Sequence, residues 1–158
     1  MALEIEHKFL VRDESWRDAV QNRELLRQGY LANTRRCSVR VRMAGEFGWL
    51  SVKAMTPGIA RAEYEVAIPP EDANAMLDSL CEGPLIEKWR HELSYAGHWW
   101  EIDEFLGANA GLVVAEIELP GMNTPFERPA WLGEEVTHDV RYYNFKLAVN
   151  PWSTWGRP

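Results

Sequence analysis

A chain of 158 residues that is 46% hydrophobic and 26% charged can bury one core of ordinary size, which excludes a disordered tail. Acids outnumber bases 24 to 17, a formal net charge of −7, and that balance argues against a binder of long nucleic acids. No run of about 18 apolar residues occurs, so neither a transmembrane helix nor a membrane partner is expected.

Most of the chain alternates apolar and polar residues with period two, the mark of half-buried strands. The first predicted strand is Leu3–Val11. A short helix follows at Ser15–Val20, with Ser15 in the capping position. Strands are expected at Leu26–Ala32, Cys37–Met43 and Trp49–Ala54, with a hairpin turn in Gly45–Gly48. Arg61–Ile68 is the next strand, stopped by Pro69-Pro70. Pro70–Leu80 reads as a helix with Glu71 and Asp72 in its first turn, ended by Gly83-Pro84. Strands resume at Leu85–Tyr95, turn at Ala96-Gly97, return at His98–Phe105 and finish with Leu112–Leu119. Trp131–Val136 reads as a loop or short helix, Asp139–Val149 as a helix, and the tail holds Trp152 and Trp155 without a clear element. No linker or repeat interrupts residues 1–158, so a single domain is expected. Its class is mainly β (α+β), an antiparallel sheet that curls or closes.

The chemistry-bearing feature is a series of like-charged pairs at i and i+2. They are Glu4/Glu6, Arg40/Arg42, Glu63/Glu65, Lys88/Arg90, Glu101/Asp103 and Glu116/Glu118, each around an apolar residue. On a strand such a pair shares one face, its members roughly 7 Å apart. Solvated faces intersperse signs; here the signs are segregated strand by strand. Rows of acids suit divalent cations and rows of bases suit a polyanion, so together they describe a metal–phosphate ligand. The sheet would then be inverted, with charge inside and Tyr64 and Trp89 outside.

Glu4-Ile5-Glu6-His7-Lys8 is an E-x-E-x-K motif. Arg40-Val41-Arg42, Ser51-Val52-Lys53, Arg61-Ala62-Glu63-Tyr64-Glu65, Lys88-Trp89-Arg90, Glu101-Ile102-Asp103, Glu116-Ile117-Glu118 and Asp139-Val140-Arg141-Tyr142 follow in order. The series resembles the CYTH superfamily, the triphosphate tunnel metalloenzymes, and most closely its short stand-alone bacterial members. That resemblance implies a closed eight-stranded antiparallel β-barrel, a triphosphate tunnel, with a few flanking helices. It implies Mg²⁺ or Mn²⁺ as cofactor, held by Glu4, Glu6, Asp103, Glu116 and Glu118. Lys8, Arg40, Arg42, Lys53, Lys88, Arg90 and Arg141 would hold phosphate oxygens, with Tyr30 touching a terminal phosphate or gating the tunnel. Lys88, Glu63 and Glu65 would form the catalytic set, the two acids orienting bases or water.

The implied reaction is hydrolysis of tripolyphosphate to diphosphate and phosphate. Alternatives within the resemblance are an adenylate cyclase or a thiamine or nucleoside triphosphatase; outside it stands a polyphosphate-binding module without turnover. A P-loop enzyme is excluded, since G-x-x-x-x-G-K-[ST] is absent. The histidines show no zinc spacing, and Cys37 and Cys81 form no metal-spaced pair. The acidic start Met1–Glu6 is unlike a signal peptide, so a cytoplasmic protein is expected. The partner expected is a small triphosphate, and the resemblance leaves room for a homodimer.

Overall fold

In the computed structural model, the backbone is described for residues 2–55, 60–121 and 123–156, and side chains for the same residues apart from 2–4 and 60–61. In chain order the elements are β1 (Ala2–Val11), β2 (Asn22–Asn33), β3 (Cys37–Ala44), β4 (Phe47–Ala54), β5 (Ala60–Ile68), α1 (Pro70–Ser79), β6 (Glu82–Tyr95), β7 (His98–Phe105), β8 (Val113–Leu119), β9 (Leu132–Glu135) and α2 (Asn144–Val149). Four 3-10 turns join them at Ser15–Ala19, Gly107–Asn109, Val140–Tyr142 and Trp152–Thr154.

Every strand pairing is antiparallel, in the order β5-β4-β3-β2-β6-β7-β8-β1-β9, and β5 also pairs with β1. The seam lies along one edge of β1. Ala2–Ile5 pairs with β5, whereas Phe9 and Val11 further on pair with β9. The expected antiparallel architecture with few helices is therefore present, corrected in two respects. The ring is joined at one end of β1 only, and a ninth strand takes the other end of that edge. Leu132–Glu135, expected as loop or helix, is that strand.

Local physics explains the connections. Ala96 and Gly97 both have positive φ (48° and 82°), the twist a two-residue turn needs between β6 and β7. Glu14, not Ser15, occupies the N-cap position of the first 3-10 turn, without a side-chain capping bond, and the Ser15 hydroxyl donates to Asp13. Gly83-Pro84 does not end α1 but lies inside β6. The helix expected over 139–149 splits into the 3-10 turn at Val140–Tyr142 and the short α2.

Apolar residues pack on both faces of the ring. Phe9, Leu93, Trp100, Ile102 and Ile117 form the largest cluster, closed by Trp16, Trp131 and Leu132. Trp100 is fully buried there, with ring centroids 5.4 Å from Trp131 and 5.9 Å from Phe9. Its neighbour Trp99 is about half exposed. Burying such side chains contributes roughly 1.5–3 kcal/mol each. On the β3–β4 side, α1 lays Ala73 and Leu77 over Val41 and Met43. Around α2, Leu147 and Ala148 cover Ile86, Phe105 and Val114, with Tyr142, Trp152 and Trp155 at the margin. Ile86, Phe105 and Val114 share the strand face of Lys88, Asp103 and Glu116, so α2 closes one end of the ring from the inside, and the charged residues beyond that plug face the interior. No helix among the described residues is long and apolar enough to cross a membrane.

Candidate active site

The inner face of the ring encloses a cavity with about 1180 Å³ of space free of atoms, its open mouth included. Six bases line it: Lys8, Arg40, Arg42, Lys53, Lys88 and Arg90. Five acids face them: Glu6, Glu63, Glu101, Glu116 and Glu118. Tyr30, Gln28, Ser38 and Ser51 complete the strand walls, Thr137 adds to them from the turn after β9, and Tyr143, Asn144 and Phe145 approach from the C-terminal segment. Strand parity puts them there. Each i, i+2 pair has its apolar middle residue on the other face, in the outer core or at the surface.

Register then decides which charges meet. Glu6 lies opposite Glu118, and Glu116 stands opposite both Lys8 and Glu101. Lys8 Nζ reaches Glu116 at 2.7 Å and Glu6 at 3.2 Å. The Lys8 ammonium beside Glu6 holds that carboxyl far below the usual range despite its burial. Burial disfavours the Lys8 ammonium, but Glu116 and Glu6 outweigh it and raise its pKa. The Lys8 backbone N–H donates to Thr137 Oγ1 (3.0 Å), and Thr137 donates in turn to Glu135 (2.6 Å). His7, on the opposite face, touches Glu135 at 3.3 Å, so the β1–β9 edge is tied from both sides.

Lys88 is the most enclosed base, 1% exposed. Its Nζ donates to Asp103 (2.7 Å) and to the Asn144 side-chain oxygen (3.1 Å). Burial lowers its pKa to about 8 against the pull of Asp103, and the neighbouring Arg90 adds to the lowering. Arg90 grips Asp103 with Nε at 2.8 Å and Nη2 at 2.9 Å. Asp103 is itself 1% exposed, and both its oxygens are taken by these bases. Burial raises its pKa, but Arg90 and Lys88 prevail and lower it. Asp103, expected to hold metal, pairs with Lys88 and with Arg90 directly across the β6–β7 ladder and is not among the cavity-lining residues. Glu101, two residues earlier on the same face, lines the cavity. Burial pushes its pKa up to about 7, with Arg90 opposing and Glu116 reinforcing.

On the far wall Lys53 pairs with Glu63 at 3.1 Å, and Ser51 donates to Glu65 at 2.9 Å. Glu65 also lies 3.5 Å from Arg42. Burial lowers the Arg42 pKa, and Arg40 beside it does the same. Glu63 and Glu65 thus each contact a base of this wall. Arg141 does not join the cavity. It forms a bidentate pair with Asp139 and lies 4.7 Å over the Trp155 ring, its side chain 56% exposed. The Glu4 side chain lies outside the described residues; its backbone pairs with Arg61.

Glu6, Glu101, Glu116 and Glu118 offer hard carboxylate oxygens on neighbouring strands, the donor chemistry Mg²⁺ or Mn²⁺ prefers. No imidazole or thiolate lines the cavity among the described residues, so the donor set fits such an ion rather than zinc. Those residues do not form a ready-gathered metal cluster, and the Lys8 ammonium stands between two of the carboxylates.

Sequence reasoning named most of this wall but missed Glu101, Gln28, Ser38, Ser51, Thr137, Tyr143, Asn144 and Phe145. Glu101 had a signal, its place in an i, i+2 pair; the others carry no charge and gave none.

The CYTH domain model matches residues 2–146 of the chain. The inorganic triphosphatase of Acetivibrio thermocellus is 47% identical over 155 residues, covering 98% of this chain and 99% of that protein. The inorganic triphosphatase of Nitrosomonas europaea is 36% identical over 151 residues, covering 93% and 97%. Among solved structures, the crystal structure of the inorganic triphosphatase NE1496 superposes with a TM-score of 0.71 at 33% identity, covering 94% of this chain and 96% of that one. Triphosphatases of this family generally depend on a metal ion. With nearly the whole chain matched and the charged strand pairs facing one cavity, the chain belongs to the CYTH domain family.

Proposed function

We propose that this protein hydrolyses inorganic tripolyphosphate to diphosphate and phosphate, with water attacking a terminal phosphorus inside the cavity. The carrying observation is the lining itself: six bases and five acids on segregated strand rows around one enclosed space. Both named relatives, inorganic triphosphatases by name, support the reading.

Phosphoryl transfer needs positioning and charge stabilisation more than covalent help. Arg40, Arg42 and Arg90 offer planar forks to phosphate oxygens, while Lys8 and Lys53 act as point charges. Glu63 holds Lys53 and Glu65 leans on Arg42, so these two acids position the bases. Lys88 is suited to take the water proton. A neutral amine has two N–H groups and one lone pair, and Asp103 and Asn144 account for the two donors. The lone pair is then free to accept, and a pKa lowered to about 8 makes the neutral form accessible. In the step, the water oxygen bonds to the terminal phosphorus and the bridging P–O bond breaks. Diphosphate leaves with that electron pair, and the water proton passes to Lys88 Nζ. Mg²⁺ or Mn²⁺ held by Glu6, Glu116 and Glu118, together with Glu4, would neutralise charge on the phosphate oxygens. The same reading places the enzyme in the cytoplasm with a small-molecule substrate.

The test is phosphate release from tripolyphosphate by purified protein with Mg²⁺ or Mn²⁺, beside a Glu116→Gln control. Release well above the control is expected. Equal rates would remove the proposal, and cyclic AMP formed from ATP would replace it with a cyclase.

A further inference from the structure

Gln28 carries a hydrogen-bond donor that the fold leaves unused. The residue is 1% exposed, lines the cavity, and its carboxamide Nε2 has no partner among the described residues. A buried donor without an acceptor is costly, so an orphan inside a binding cavity marks the place of a ligand acceptor. Gln28 is not alone in this. The Nε atoms of Arg40 and Arg42 are likewise buried and unpartnered.

The three form one patch. Gln28 lies directly opposite Arg42 in the β2–β3 ladder, and Tyr30, two residues along β2, lies opposite Arg40. All three unused atoms are N–H donors, so the patch is complementary to a ligand rich in acceptors. The other side of Gln28 is Ile86 of β6, itself 1% exposed and unable to accept a hydrogen bond. The remaining buried nitrogens without partners belong to His7, Trp16 and Trp100, none of which lines this cavity.

We propose that Gln28 is a further substrate-binding residue, its carboxamide N–H donating to a non-bridging oxygen of the polyphosphate beside Arg40 and Arg42. The inference rests on the tripolyphosphatase reading and adds a polarity to it. The β2–β3 wall takes phosphate through donors alone, while the carboxylates of Glu6, Glu116 and Glu118 stand on β1 and β8. A carboxamide donor adds a directed bond without adding charge to a wall already crowded by two guanidinium groups.

The experiment compares wild type with Gln28→Met, which keeps length and loses the donor, and Gln28→Glu, which sets an anion against the phosphate. Tripolyphosphate hydrolysis is followed with Mg²⁺, and thermal melting checks the fold. Loss of a hydrogen bond to a charged group predicts a fall in kcat/KM of about ten- to a hundredfold for Gln28→Met, and more for Gln28→Glu. A folded Gln28→Met within about threefold of wild type overturns the proposal. Should the variants not fold, the Gln28 side-chain amide resonance of the wild type decides, titrated with tripolyphosphate in excess chelator. A shifted resonance supports the contact, and an unmoved one overturns it. Wild type that fails to release phosphate would sink the hydrolase reading separately, since the resonance still reports on Gln28.

Discussion

Lys88 concentrates the catalytic question in one side chain. Burial pushes its pKa down to about 8, and Asp103 at 2.7 Å keeps it from falling further. As pH rises through that value the ammonium gives way to the amine, so proton acceptance is switched on rather than off. A bound polyanion favours the charged form and moves the transition upward. The rate under saturating substrate should therefore climb with pH, on a limb lying at or above about pH 8. Lys88→Arg keeps a positive charge that does not titrate in this range, so it should abolish the limb and most of kcat while changing KM less. Rate–pH profiles of the two proteins check this; an unchanged limb in Lys88→Arg would move the base elsewhere. The residue scale is also where sequence reading reached its limit. Glu101 and Asp103 share a strand face and a charge, so parity alone does not tell them apart. Cross-strand register separates them: Arg90 stands opposite Asp103 and pairs with it, while Glu101 stands opposite Glu116 and lines the cavity. Gln28 gave no charge signal at all.

At the scale of elements, period-two alternation carried the long strands, because apolar residues alternate along them with the charged residues of the inner face. It missed β9, which is four residues long and too short to show a period. Only tertiary context makes Leu132–Glu135 a strand: the edge of β1 beyond Ile5 is open, and Trp131 and Leu132 pack against Phe9 and Trp100. Gly133 permits that approach. A Cβ built there would lie 2.8 Å from the Leu10 carbonyl oxygen, a backbone atom that cannot step aside cheaply. Gly133→Ala should cost about 1–3 kcal/mol of stability by overpacking. It should also lower activity, since β9 leads into Thr137, which accepts the Lys8 N–H in the cavity wall. Chemical denaturation with a parallel rate measurement reads both; a variant as stable as wild type would show that the edge is loose. Arg141 illustrates the same limit. Its motif position matched, but packing of the tail, with Trp155 under its guanidinium, holds it outside the cavity.

For the whole molecule, a net charge of −7 first looks wrong for a polyanion site. The ring resolves this by sorting charge in space. Among the described residues six bases and five acids line the cavity, so positive charge is concentrated there relative to the chain as a whole. The global sum then says little about the local field. An inverted barrel has a further consequence. Part of its interior is held by ion pairs, such as Lys8 with Glu116 and Lys88 with Asp103, beside the apolar plug under α2. Breaking such pairs singly is costly, but supplying a further anion to donors left unused, as at Arg40 and Arg42, favours the folded state. Substrate should thus act as part of the core. With turnover stopped by chelator, tripolyphosphate at about 100 times its Kd adds about 2.7 kcal/mol of stability. For a chain of this size that is a rise in melting temperature of roughly 5–10 °C. Sulfate at the same ionic strength should give much less, because it cannot span the β2–β3 donors and Lys88 together. A melting curve unmoved by tripolyphosphate, or moved equally by sulfate, would mean that the inward charge is structural and not a binding surface.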